Sequence, residues 1–174
     1  MTDTMTEKAA STGKPAAAGY AVARKSAPNY IKGRREFFTY ADLGVTDASQ
    51  GKMRVQRTSA TDGMSEPTGW HYHKCEGQFV YMLDGWLELQ FADGETIRLE
   101  AGDSVYIDGY APHNEIRTSD SFDLLEFSVP ADMGTEVCDP PDPRCGYPGR
   151  LPAGQVAGQV SGQVSGQVSG QVSG

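Results

Sequence analysis

Three histidines, His71, His73 and His113, are the only ones in this chain, and their spacing points to metal chemistry. His71 and His73 stand two residues apart, so on a β-strand both imidazoles leave the same face. Imidazole is the commonest metal ligand, and a pair on one strand face can converge on a single ion. His113 follows the turn-prone run Asp108-Gly109-Tyr110-Ala111-Pro112, at the start of another short strand. A His-x-His pair alone also describes surface or hydrogen-bonded core residues. The absence of histidine elsewhere raises the expectation of one divalent transition-metal site.

Other residues nearby carry two readings each. Glu115 and Arg117 share strand parity with His113 and would face a cavity mouth. There Glu115 can act as a general base, and Arg117 can hold an anionic substrate or remain a solvated rim charge. Tyr106 and Tyr110 read as proton donors or as rim packing. Cys75 shares the parity of the histidines if the strand runs on through Lys74; it is a ligand or, more commonly, a small buried thiol. Trp70 and Tyr72, with Phe79 and Tyr81, form an outward aromatic stripe. That stripe is either a dimer contact or is covered by the segment Asn29 to Tyr40.

The elements that must position these residues are short strands. Apolar alternation runs through Met53-Arg54-Val55-Gln56, Trp86 to Phe91, Thr96 to Leu99 and Ser104 to Ile107. Phe79 to Leu83 and Leu124 to Val129 are denser and read as more fully buried strands. Asp-Gly pairs at 84–85, 93–94 and 108–109 tolerate the positive φ of tight turns and read as strand connections. No long helical period competes, so the fold class is all-β, an antiparallel sandwich or barrel. Expected boundaries are a disordered tail over 1–25, the barrel over 26–135, a Pro/Gly-rich extension over 136–152 and a low-complexity tail over 153–174. That last segment repeats Gly-Gln-Val-(Ser/Ala) five times, a period of four that suits neither helix face nor strand.

The run Gly69-Trp70-His71-Tyr72-His73-Lys74-Cys75-Glu76-Gly77-Gln78, followed after six residues by Gly85, resembles the first motif of the cupin superfamily. Gly102-Asp103-Ser104-Val105-Tyr106-Ile107-Asp108 through Ala111-Pro112-His113 resembles the second. The resemblance spans about residues 35 to 130 and implies a jelly-roll barrel of six to eight strands, usually dimeric, with the metal inside. It implies that His71, His73 and His113 bind the ion and that a glycine, Gly85, closes a hairpin. The family's acidic ligand falls here on Gln78, which is taken as the fourth ligand; Glu76, of the same parity, is the alternative. Asp108, Tyr110 and Arg117 also replace the family's usual Pro, Gly and Asn. An amide oxygen donates less charge than a carboxylate, so the ion would be held less tightly and stay a stronger Lewis acid.

The totals bound the partners. A formal charge of -8 over 174 residues argues against nucleic-acid binding, which needs a basic patch. No apolar run approaches the roughly 20 residues of a membrane span, and the N-terminus carries Asp3 and Glu7 instead of a secretory signal, so the expected location is cytoplasmic. Cys138 and Cys145 bracket a turn-rich stretch and form a small bridged loop or, in a reducing compartment, two free thiols.

Three functions follow from such a site. The one placed first is an oxidoreductase, an Fe(II)-type dioxygenase acting on a small organic molecule, its barrel wall of Val80, Met82, Leu89, Val105, Ile107 and Phe127 excluding water and Met82 touching substrate; the other two are alternatives to it. The second is a redox-neutral isomerase or hydratase acting on a sugar acid or another carbonyl compound, with Glu76 or Glu115 as base. The third is a non-catalytic module for a small ligand or metal. Iron, manganese, nickel, cobalt, copper and zinc all suit the donors, with Fe(II) preferred for oxygen chemistry. The expected partners are a small-molecule substrate and a second copy of the chain, with no nucleic acid and no membrane.

Overall fold

Alternation of apolar and polar residues produces two antiparallel sheets that enclose one interior. In the computed structural model, residues 19–140 are described. The larger sheet runs in the order β1 (Asn29–Ile31), β2 (Thr39–Asp42), β3 (Arg54–Ala60), β10 (Phe122–Val129), β5 (Gly77–Asp84) and β8 (Ser104–Asp108). The smaller runs β11 (Gly134–Val137), β4 (His71–Lys74), β9 (His113–Thr118), β6 (Trp86–Phe91) and β7 (Thr96–Glu100). One short helix, α1 (Val45–Ala48), joins β2 to β3. The fold is an all-β jelly roll, with eleven strands among the described residues where six to eight were expected. Strand pairing continues to Val137, because β11 pairs with β4.

Only one of the three Asp-Gly pairs closes a hairpin. Asp93-Gly94 lies between β6 and β7, which pair antiparallel. Asp84-Gly85 and Asp108-Gly109 instead carry the chain from one sheet to the other. Gly85 is required there twice over: its φ is +69°, and a Cβ would come within 2.3 Å of the Ser121 carbonyl oxygen. Gly109 has no positive φ; a Cβ would lie 1.7 Å from the Cys75 carbonyl oxygen, so its place next to the β4–β5 turn needs a bare backbone.

Met82, Leu89, Phe122, Leu124, Val80 and Ile107 form the centre of the core, and each fully buried side chain of this size contributes about 1.5–3 kcal/mol. The strands expected to be buried on both faces are not. On β5, Val80 and Met82 face inward while Phe79 and Tyr81 are each 38% exposed. On β10, Leu124 faces inward and Phe127 outward, edge-on to Phe79; Phe127 is thus no part of the inner wall. The segment expected to cover the aromatic stripe goes elsewhere. Residues 31–40 cross the barrel mouth, where Phe38 packs edge-on against Phe122.

On β3 the alternation is inverted. Arg54, Gln56 and Thr58 face the interior, while Val55 is buried on the outside, on the side where α1 packs against β3. No helix among the described residues is long and apolar enough to cross a membrane.

Candidate metal centre

β4 delivers His71 and His73 to the interior, and β9 delivers His113 directly opposite His71 in the pairing register. All three imidazoles are buried, and a ligand atom of each lies within 4.8 Å of the others. Each Nδ1 is already engaged. That of His71 donates to the Gly69 carbonyl oxygen at 2.8 Å and that of His113 to the Ala111 carbonyl oxygen at 2.8 Å. His73 Nδ1 meets the hydroxyl of Thr135 on β11 at 2.9 Å. Fixing the proton on Nδ1 leaves the lone pair of Nε2 for a metal, the usual arrangement of a ligating histidine.

Burial disfavours the charged form of His71 and His73. It lowers the pKa of His71, against an opposing pull from Glu115, and pushes His73 down to about 2, with the neighbouring imidazoles adding to the shift. Two buried acceptors, His113 Nε2 and Gln78 Oε1, have no hydrogen-bond partner. Buried polar atoms seldom go unsatisfied; a cation between them would satisfy both. The donor set, three imidazoles and an amide oxygen, fits a divalent transition metal.

Glu115 stands beside this triad. Its Oε2 is 3.7 Å from His71 Nε2 and its Oε1 is 3.9 Å from His113 Nε2, while the Thr68 hydroxyl donates to the carboxylate. Burial works against its ionisation, but the neighbouring histidines and Thr68 outweigh that and hold it below the usual carboxylate range. Across the cavity Glu126 shifts the other way, raised by burial despite Arg54 at 3.2 Å.

A cavity of about 370 Å³ opens over the triad, floored by core residues such as Val80, Leu87 and Ile107 and walled by Gln78, Glu115, Glu126, Gln56 and Tyr40. Four further residues expected near the substrate are not there. Arg117 points out and binds Glu88 through Nη2 at 2.6 Å. The cause is a bulge: β6 pairs Leu89 with Glu115 but Glu88 with Arg117, so one extra residue of β9 flips the parity after Glu115. Glu76 is exposed in the β4–β5 turn and does not line the cavity, so it is no base from within. Tyr106 lies on the outer face, 59% exposed, its hydroxyl donating to Asp108 at 3.0 Å. Met82 is wholly buried beneath the cavity, in the core.

Tyr110 adopts φ +64° and stacks on Tyr72, away from the cavity lining. Cys75 is a free buried thiol, its pKa raised by burial, and it does not line the cavity. Cys138 has no disulfide partner among the described residues, and Cys145, with which the bridged loop was expected, lies outside them.

Thr68, Thr135, Tyr40, Arg34, Arg35, Arg54 and Glu126 are site residues that sequence reading missed. For β3 the signal was present: Arg54, Gln56 and Thr58 alternate as a polar stripe. For Thr68 and Thr135 there was none, since only the fold puts them beside Glu115 and His73.

Fold and site together define a double-sheet β-barrel with an internal three-imidazole centre placed to bind metal. The Cupin domain family matches residues 61–129, and the chain's barrel has the fold of solved structures to which it is similar. Its barrel is similar to that of KdgF from Halomonas sp., with a TM-score of 0.53, 18% identity, and coverage of 65% of this chain and 96% of that one. The DMSP lyases RdDddP and RnDddQII give 0.52 at 19% identity, covering 64% of this chain and 63% of theirs. Fe(II)-bound HppE gives 0.50 at 15% identity, covering 63% and 60%. This chain therefore spans under two thirds of the lyase and HppE chains. No curated protein matches it by sequence.

Proposed function

We infer that this protein is a metal-dependent enzyme that performs a redox-neutral, proton-transferring reaction, such as an isomerisation, enolisation or hydration, on a small carbonyl compound. The observation that carries this reading is Glu115, a half-buried carboxylate within 3.9 Å of two imidazole Nε2 atoms in the wall of the cavity. His71, His73, His113 and Gln78 would hold the ion. When bound, it would supply Lewis acidity that polarises a substrate carbonyl.

The chain's own residues do the rest. Glu115, oriented by the Thr68 hydroxyl, takes a proton from the carbon beside that carbonyl. Glu126 and Tyr40, on the opposite wall, are placed to return one. The environments of Glu115 and Glu126 push their proton affinities apart, as an acid and base pair in one site require. The apolar floor excludes bulk water.

A second reading, an Fe(II)-type dioxygenase, is favoured by the neutral donor set, which leaves positions for substrate and dioxygen, and by the Fe(II) in HppE. The third, a metal or ligand store, makes no use of Glu115. In either enzyme reading a cytoplasmic homodimer joined through the exposed Phe79–Tyr81 face is proposed.

Exchange of substrate α-hydrogens in D2O, followed by NMR across a panel of small ketones and aldehydes, tests the choice. Anaerobic exchange that disappears in Glu115→Gln with metal content retained is the expected result. Turnover that strictly requires oxygen removes the redox-neutral reading.

A further inference from the structure

The cavity's charge is opposite to that of the protein. The chain carries -8 overall, yet the cavity wall holds Lys32, Arg34, Arg35 and Arg54 against only Glu115 and Glu126. Arg54 is partnered by Glu126 at 3.2 Å. Arg35 gives one Nη2 donor to the Thr68 carbonyl oxygen, but its Nε is buried with no partner. Arg34, its neighbour in sequence, makes no hydrogen bond or ion pair among the described residues. Two adjacent guanidinium groups repel one another, and a buried N–H without an acceptor is destabilising. An anion between them would remove both penalties.

We propose that Arg34 and Arg35 form a clamp for the carboxylate of a small organic acid, which is the substrate of the site. This rests on the reading of the cavity as a metal-dependent active site. The planar fork of a guanidinium matches the two oxygens of a carboxylate. A phosphate dianion fits less well, because Glu115 and Glu126 face the same space and would repel its second charge.

Geometry places the reacting part of the acid as well. Arg35 is tied to the Thr68 carbonyl, and the Thr68 hydroxyl holds Glu115. A molecule gripped by Arg35 therefore has its next carbons beside Glu115 and the three imidazoles. The clamp comes from the β1–β2 connection, outside the residues matched by the Cupin domain family. It is thus a property of this chain's own mouth-covering segment.

The test uses the full-length chain, both chelator-stripped and metal-loaded. Binding is measured by thermal shift and calorimetry for matched pairs: pyruvate and pyruvamide, lactate and lactamide, glucuronate and glucuronamide, with inorganic phosphate alongside. At least one carboxylate should bind the stripped protein while its amide does not. Arg34→Gln and Arg35→Gln should each weaken that binding about tenfold or more, with metal content unchanged. Arg117→Gln, outside the cavity, should leave it as it was. Arg35→Lys covers the case in which Arg35→Gln loosens the Thr68 contact; it keeps the charge and should recover part of the affinity.

The clamp is wrong if no carboxylate is preferred over its amide, if phosphate binds more tightly than every carboxylate, or if Arg34→Gln binds as the unaltered protein does. Failure of the metal-enzyme reading shows separately. A protein that takes up no metal, or keeps its metal without His71 and His113, sinks that reading while the anion result on stripped protein still stands or falls alone.

Discussion

Replacing Gln78 with methionine should make the metal-free protein more stable and its metal binding weaker. Gln78 is 6% exposed on β5, and its Oε1 is buried without a partner. Opposite it on β10 sits Ser128, whose buried hydroxyl is also unpartnered. Leaving a buried acceptor unsatisfied costs about 1–3 kcal/mol. Methionine fills nearly the same volume without that acceptor, and volume-conserving swaps in a core cost under about 1.5 kcal/mol. The metal-free variant should therefore gain roughly 1 kcal/mol, read as a higher urea midpoint at unchanged m-value.

In the proposed site the metal-bound form loses an oxygen donor. Affinity, measured in competition with a chromophoric chelator, should fall about tenfold or more, near 1.4 kcal/mol. Because a ligand stabilises a fold through its occupancy, the metal-induced rise in midpoint should shrink as well. Opposite signs in the two states are the mark of a residue kept for binding and not for folding. The reasoning is refuted if the metal-free variant is destabilised by more than 1.5 kcal/mol or if metal affinity does not change.

Further outcomes concern the same interior. In Glu115→Gln, turnover should drop about 100-fold or more while metal analysis shows full loading; loss of metal instead would make Glu115 a ligand. Lowering the pH should destabilise the metal-free protein. His73 has its folded pKa depressed to about 2 and His71 is lowered too, so the stability from neutral rings is present above the unfolded pKa near 6.5 and lost as pH falls below it. At pH 5 His73 alone accounts for about 2 kcal/mol, checked by urea titration at pH 7.5 and pH 5; a flat response contradicts the burial argument. Leu89, a core residue 1% exposed that lines the cavity, should cost about 2–5 kcal/mol as Leu89→Ala, read from the same unfolding curves.

Much of the site is local in the chain, and so was legible. Strand parity alone puts His71 and His73 on one face, and the turn before His113 starts the strand that meets them. The all-β class follows from the short alternating runs. Of the two readings of Arg117 the cavity-facing one fails and the solvated one agrees with its exposure, because a bulge that no residue type announces ends the parity after Glu115. Met82 and Phe127 were placed on the wall from apolarity, which does not tell the cavity floor from the core below it or from the outer face. The polar stripe on β3 was read by its valine and methionine, while its arginine, glutamine and threonine were the residues facing in.

By itself the sequence determined the metal-binding residue types, their shared strand face and the all-β class, since these depend on period two along the chain and on side-chain chemistry. Tertiary structure alone decided which charges join them. Arg34, Arg35, Thr68 and Glu126 come from segments far apart in sequence, and only the closure of two sheets, with the β1–β2 connection crossing the mouth, gathers them around one cavity. Long-range pairing of this kind leaves no periodic trace in the chain, because it is the packing of the whole barrel that fixes it.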